Sequence, residues 1–487
     1  MVEPYGTPEV DHFLQRKSIK AFSNTLLDFM STEDDVAPAI IDTGGGEDIV
    51  YLGPDENVLP EDINWMTERA MQRGYQYASA FISSKPAAGF NHKEFGVTSE
   101  GVNTFLRVAL EEQGIAPLEE PFTVKITGGT NGDVAGNMVR FLDRDYNGNA
   151  KVVGIADGTA TAEDPAGLDM AELMRLVEAD LPLADFDAAT LGSEGAFLTA
   201  DTAEGCRMRD SMAFRVESDV FVPAGGRPAT IHTGNYQQFL TPDGRPSSPL
   251  VVEGANLFTT PAARQALFDE AGVVFVKDSS ANKCGVITSS YEILLSMMLS
   301  TPEFLQHKET FVPQLLHKLR TIAETEARLI FREMRLDSSK PFPVVSSEVS
   351  AQITRLHDAL DSAIGSMDEQ QFAGLEHVLA RHLPPGAAED LPGGFAERLD
   401  RVPRQYRNAT IACVLASQMV YKEGVGFIAA LPEEGLAQLA LRYAEAERQV
   451  GEELLPALRA SDMAPELLAQ AEAVLGSAGA RVAMAAA

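Results

Sequence analysis

Gly128, Gly129, Gly132 and Gly136 crowd one stretch, TVKITGGTNGDVAGNMVRFL, between a short apolar run and an amphipathic one. Glycines at a strand-to-helix turn leave backbone N–H groups open at the helix N-terminus, where an anionic pyrophosphate is favoured. A glycine inside the helix, such as Gly136, costs about 1 kcal/mol relative to alanine, so close packing has to require it. On this reading Gly129, Gly132, Asp133 and Val134 form the backbone cradle of a phosphate. The spacing GGxxGxxxG departs from the usual GxGxxG, and a plain tight connection accounts for it equally well. The next apolar run, KVVGIADG, ends in Asp157. It falls about 20 positions beyond Gly136, the interval at which an acid reaches the ribose hydroxyls of a dinucleotide. An acid there repels a 2′-phosphate and favours NAD over NADP. A lone aspartate after a strand is otherwise a turn or cap residue.

These residues need a parallel sheet beneath them. Between about 121 and 285 the β-rich runs TVKIT, AKVVGIADG, SDVFVPAGG, PLVVEGAN and GVVFVKD are separated by amphipathic stretches such as DMAELMRLVEA and TPAARQALFDEAG. Strands alternating with helices specify a parallel sheet covered on both faces. Upstream lie helical periodicity in HFLQRKSIKAFSNTLLDFM, a short strand in DIVYLGPDENV and a helix around Trp65; downstream the chain is helical nearly throughout. The expected fold class is α/β, with a partial α/β domain over 1–120, a Rossmann-like doubly wound domain over 121–287 and a helical C-terminal region over 288–487.

Composition narrows the partners. The 71 acidic and 39 basic side chains leave a formal charge of −32. Such a field repels nucleic-acid backbones and anionic membrane surfaces, which argues against both as partners. Cys206, Cys284 and Cys413 form no CxxC pair and the histidines are scattered, so no metal site is expected and the pattern is that of a reduced, cytoplasmic protein. The opening MVEPYGTPEVDHF has neither the basic nor the apolar region of a secretory signal. Apolar runs such as EILLSMML fall short of the ~20 residues that span a bilayer.

The phrases YLGPDENV, FGVTSEGV, TGGTNGDVAGN, DPAGLDMAEL, FVPAGGRPATI, VVEGANLFTTPAA and VVFVKDSSANKCGVITSSYEIL occur in this order. Together they resemble the large NAD-specific glutamate dehydrogenases, within the glutamate, leucine and phenylalanine dehydrogenase superfamily. The resemblance implies an oxidoreductase with a substrate domain and an NAD domain. It also implies a homo-oligomer whose substrates are L-glutamate, or 2-oxoglutarate and ammonium. It implies that Asp55 shuttles protons to and from the amino group, work that needs a base within hydrogen-bond reach. Without the resemblance Asp55 is a turn residue after Pro54. Thr98 is similar to the residue that holds the nicotinamide carboxamide, and read by itself is a helix N-cap. Asn256 resembles a position on the nicotinamide side. Ser289 resembles the serine that contacts a substrate carboxylate, and otherwise caps the helix SYEILLSMML. Lys283 and Cys284 stand where the family usually has two glycines. Arg227, set among Gly225, Gly226 and Pro228, reads first as a turn residue.

Two carboxylates on one substrate call for several cations. In the family these are lysines upstream of the Asp55 segment, one of them in a KGG turn, and no such turn precedes Asp55 here. The upstream cations Arg16, Lys17 and Lys20 read as a solvated helix face. The expectation is either a C-terminal part of a longer enzyme, with the lysines on an N-terminal region or a partner chain, or a catalytically incomplete NAD(H)-binding or regulatory subunit. A third reading keeps catalysis with an apolar amino acid as substrate.

Overall fold

The computed structural model describes residues 8–30, 49–54, 58–389 and 394–486. In chain order the elements used below are helices α1 (Pro8–Met30), α2 (Pro60–Gln72), α3 (His92–Phe95) and α4 (Val97–Glu112); strand β1 (Phe122–Thr127), α5 (Asp133–Asp145), β2 (Ala150–Ala156) and β3 (Ala160–Glu163); α6 (Met170–Glu178), β4 (Ala196–Thr199), α7 (Ala203–Arg215), β5 (Val220–Pro223) and β6 (Leu250–Val252); and α8 (Pro261–Ala271), β7 (Val274–Val276), α9 (Asp278–Ala281), α10 (Cys284–Met298), α11 (Thr301–Leu336) and α12 (Phe342–Gly365). Further helices follow, among them Arg404–Glu423 and Leu436–Gln449.

The chain divides into two compact units. One gathers residues 1–97, 284–319 and 383–402, the other 98–283, 320–382 and 403–487. The helical stretch after residue 288 is therefore shared between them.

The larger unit is built on one seven-stranded sheet in the order β4-β3-β2-β1-β5-β6-β7. β1 pairs parallel with β2 and β5, and β5, β6 and β7 continue parallel, as the apolar runs lead one to expect. β3 departs from that expectation, running antiparallel to β2 and to β4. The cause is local. Asp157, Gly158 and Thr159 separate β2 from β3, which is too short for a crossover helix and long enough for a hairpin. Because β2 lies on one side of β1 and β5 on the other, strand order reverses at β1. In open α/β sheets that is where ligands bind, beyond the carboxyl ends of the strands.

Buried Val124 and Ile126 of β1, Phe221 of β5 and Val251 of β6 carry the sheet's core, and Phe239, Phe258, Leu267 and Phe275 pack with the last two. Helix α8 carries its own start and stop chemistry. Thr260 caps the N-terminus by accepting from Ala263 N, Pro261 opens the first turn, and Gly272 ends the helix at φ 66°.

The smaller unit has a separate core of Leu27, Ile63, Met66 and Phe81. Of the strand expected in DIVYLGPDENV, the described part forms one parallel bridge, Leu52 to Ile82. No helix among the described residues is long and apolar enough to cross a membrane.

Candidate active site

The β1–α5 turn is shaped by close approach. Gly128 has φ 123°, and a Cβ on it would stand 2.8 Å from the Ala135 Cβ and 2.9 Å from Gly225 N, at the carboxyl end of β5. A Cβ on Gly136 would run into the Thr130 carbonyl, which explains the glycine inside the helix. Gly132 N donates to Gly129 O at 2.8 Å, closing the turn. Gly132 is the N-cap of α5, has no side chain to bond the first-turn amides, and is followed directly by Asp133 and Val134. An uncapped helix N-terminus reached through glycines fits a pyrophosphate group, so the residues present suit a dinucleotide.

Asp157 sits at the carboxyl end of β2, and its carboxylate is already in use. Oδ1 accepts from Thr159 N at 2.7 Å, Thr159 Oγ1 at 2.6 Å and Ala160 N at 3.0 Å, and Oδ2 accepts from Leu183 N at 3.0 Å. It is the turn residue that the simplest reading expects. Yet a carboxylate has about four lone-pair sites, two on each oxygen. Oδ2, with one of its two engaged, lies 3.2 Å from where a Gly129 Cβ would stand. The same group can therefore hold the hairpin and offer an acceptor beside the glycine turn.

Two further elements converge on α5. Thr98, half-buried in the first turn of α4, is followed by Ser99, whose Oγ donates to Val134 O at 3.1 Å. Gly254, just past β6, packs so closely that a Cβ would stand 2.8 Å from Val134 Cγ1. Two residues on, exposed Asn256 accepts from Asn282 Nδ2 through Oδ1 at 2.7 Å. The larger unit thus brings Thr98, Gly129, Gly132, Asp133, Val134, Asp157 and Asn256 to one end of its sheet. Arg227 is exposed in the turn after β5, where its carbonyl accepts from Thr230 Oγ1.

In the smaller unit Ser289 lies on α10. Its Oγ accepts from Ser83 Oγ at 2.9 Å, donates to Gly285 O at 3.3 Å and lies 3.5 Å from His92 Nε2. One turn further along α10, Glu292 is fully buried and accepts from Ser84 N, Lys85 N, Phe90 N and Lys85 Nζ. Lys85 Nζ also donates to Ile82 O and Ser296 Oγ. Asp55 falls outside the described residues.

A family model described as Glutamate/Leucine/Phenylalanine/Valine dehydrogenase matches residues 89–334, which is half of the chain. The chain belongs to this dehydrogenase family. Curated relatives include a probable NAD-specific glutamate dehydrogenase of Schizosaccharomyces pombe, 30% identical over 79% of this chain and 36% of its own length. Another is the NAD-specific glutamate dehydrogenase of Neurospora crassa, 30% identical over 84% of this chain and 40% of its own length. The chain therefore spans about two fifths of these relatives. A solved structure of Plasmodium falciparum glutamate dehydrogenase aligns with TM-score 0.48 and 18% identity, over 69% of this chain and 62% of that one.

Against the dehydrogenase resemblance, the upstream cations need correction. Arg16 pairs with buried Asp62 at 3.2 Å and Lys20 lies over the Trp65 ring, so α1 uses these two in packing, while Lys17, over the exposed Phe13 ring of its own helix, stays on the solvated face. Lys283 pairs with Glu326, and Cys284 is a buried thiol at the start of α10. Sequence reasoning missed the Ser83, Lys85, His92 and Glu292 group around Ser289. The available signal was a lysine inside the small-residue run ISSKPAAGF, since a lysine there needs a buried acid as partner.

Proposed function

We propose that this chain carries out NAD-dependent oxidative deamination of L-glutamate to 2-oxoglutarate and ammonium. The observation that carries the reading is the uncapped α5 N-terminus behind Gly129 and Gly132 at the strand-order reversal, in a chain whose curated relatives are named as NAD-specific glutamate dehydrogenases. When bound, the nicotinamide supplies the acceptor for the hydride leaving the α-carbon. The backbone of Gly129, Gly132, Asp133 and Val134 holds the pyrophosphate, and Asp157 the adenosine ribose. Thr98 and Asn256 orient the nicotinamide. Ser289 holds a substrate carboxylate, and Asp55 takes a proton from the amino group; once hydride loss has left an imine, water adds to it and supplies the 2-oxo oxygen, and Asp55 returns the proton as ammonium leaves. A cytoplasmic location is supported by the wide spacing of Cys206, Cys284 and Cys413, which form no CxxC pair, and homo-oligomeric assembly is carried over from the resemblance. Substrate lysines on a further N-terminal region, or on a partner chain, belong to the same proposal.

The test is NAD reduction followed at 340 nm with L-glutamate, L-leucine, L-phenylalanine and L-valine in parallel. Turnover confined to glutamate supports the proposal. A preference for an apolar amino acid overturns the substrate assignment. NADH binding without turnover on any of the four overturns activity for this chain by itself.

A further inference from the structure

The turn from Gly254 to Thr260 holds a strained backbone in the open. Leu257 has φ 56° and is 58% exposed, and Ala229, whose N donates to Leu257 O at 2.8 Å, has φ 58°. A branched side chain in left-handed backbone persists where the surroundings over-determine it, and such positions cluster at functional sites. Here α9 supplies the constraint from both of its ends. Asp278, its first residue, accepts from Leu257 N through Oδ2 at 2.7 Å. Asn282, its C-cap, donates through Nδ2 to Gly254 O at 3.1 Å and to Asn256 Oδ1 at 2.7 Å. Behind this grip lies a buried ionic group. Arg264 Nη2 stands 2.5 Å from Glu253 Oε2 and 3.3 Å from Asp278 Oδ1, and Glu253 Oε1 accepts from Thr259 N. The buried Phe258 ring seats the turn against Gly226, where a Cβ would stand 2.6 Å from the ring.

We propose that Asp278 and Asn282 are positioning residues. They clamp the 254–260 turn from the two ends of α9 so that Asn256 is presented in a fixed orientation to the nicotinamide end of the cofactor. This rests on the reading of Asn256 given under the proposed function. Arg264 and Glu253 serve the clamp by fixing the Asp278 carboxylate from behind. The device acts through Asn256, so it serves the nicotinamide half and leaves the adenosine half to the β1–α5 turn and Asp157.

The experiment compares NADH with ADP-ribose, which lacks the nicotinamide, by isothermal titration on the full chain, with thermal unfolding measured alongside. Asp278→Ala and Asn282→Ala are each expected to weaken NADH about tenfold, the scale of one lost charge-assisted or amide hydrogen bond, with ADP-ribose affinity unchanged. Asp278→Asn keeps an oxygen acceptor for Leu257 N and is expected to restore most of the NADH affinity. Asn256→Ala is expected to show the same loss confined to NADH. If Asn256→Ala leaves NADH affinity unchanged, the reading of Asn256 fails and the clamp has nothing to position. If Asn256→Ala weakens NADH but Asn282→Ala does not, the clamp alone is wrong. Equal loss of NADH and ADP-ribose in Asn282→Ala makes α9 merely structural and also overturns the proposal. Asn282→Ala decides the matter even if Asp278→Ala fails to fold.

Discussion

Asp157 shows how one carboxylate serves two ends. Three of its accepted bonds close the β2–β3 hairpin, a fourth holds Leu183 N, and the remaining acceptor on Oδ2 lies beside Gly129. In the proposed NAD site its charge would disfavour a 2′-phosphate. Asp157→Asn is therefore expected to narrow the preference for NADH over NADPH, read as the ratio of their dissociation constants; an unchanged ratio would remove Asp157 from the ribose. Lys125 poses the opposite case, a titratable amine whose partners lie in the sheet core. It is fully buried in β1, donates to Val216 O and Ser247 Oγ, and lies over the rings of Phe221 and Phe239. Burial holds its amine well below the ordinary 10.5. The unfolded chain then binds a proton that the folded chain has released, so this residue makes stability rise with pH in the window below 10.5. The stability difference between the wild type and Lys125→Met, from urea unfolding between about pH 7.5 and 9.5, is expected to grow with pH. A flat difference would contradict the buried amine. Candidate site residues were legible in the sequence where backbone geometry constrains residue type, as at Gly129, Gly132 and Gly136. Ser83, Lys85 and Glu292 were not, because a hydroxyl or an acid declares its partner only after distant segments have met.

Among the elements, the strands that were legible are the ones buried on both faces. β1, β2, β5, β6 and β7 read as apolar runs because the parallel sheet is covered on both sides. β3 and β4, ATAE and AFLT, are four residues each, and only the partner strand reveals them. The glycine turn is the element whose packing leaves least freedom. Gly136→Ala drives a methyl into Thr130 O, so α5 has to move away from the turn. The expected cost is roughly 1–3 kcal/mol, read as a lower urea midpoint, together with weaker NADH binding. A variant as stable as the wild type would mean that the helix tolerates the displacement. Glu253, at the end of β6, is pushed by burial up to about 7, against the pull of Arg264. Between about pH 4.5 and 7 the folded chain keeps a proton that the unfolded chain has lost, so this group's contribution to stability falls as pH rises. The difference in unfolding free energy between the wild type and Glu253→Gln is expected to decline across that window, and a rising difference would contradict the assignment.

For the whole molecule, linear reading has a definite limit. Helical periodicity tells which face of α10 or α11 is buried but not which segment buries it. The smaller unit, assembled from 1–97, 284–319 and 383–402, is accordingly invisible to a residue-by-residue reading. The α/β class was legible, because alternation of strand and helix is a local property. The chain spans about two fifths of its named relatives, and the cofactor cradle proposed for it lies within one unit. That cradle is tested most directly by titrating NADH fluorescence with the wild type and with Gly129→Val. Valine at 129 meets the end of the Asn131 side chain and the Asp157 carboxylate, filling the cradle while sparing the sheet core. The account predicts saturable NADH binding in the wild type and its loss in a variant with unchanged thermal unfolding. Equal NADH affinity in the two proteins would contradict it.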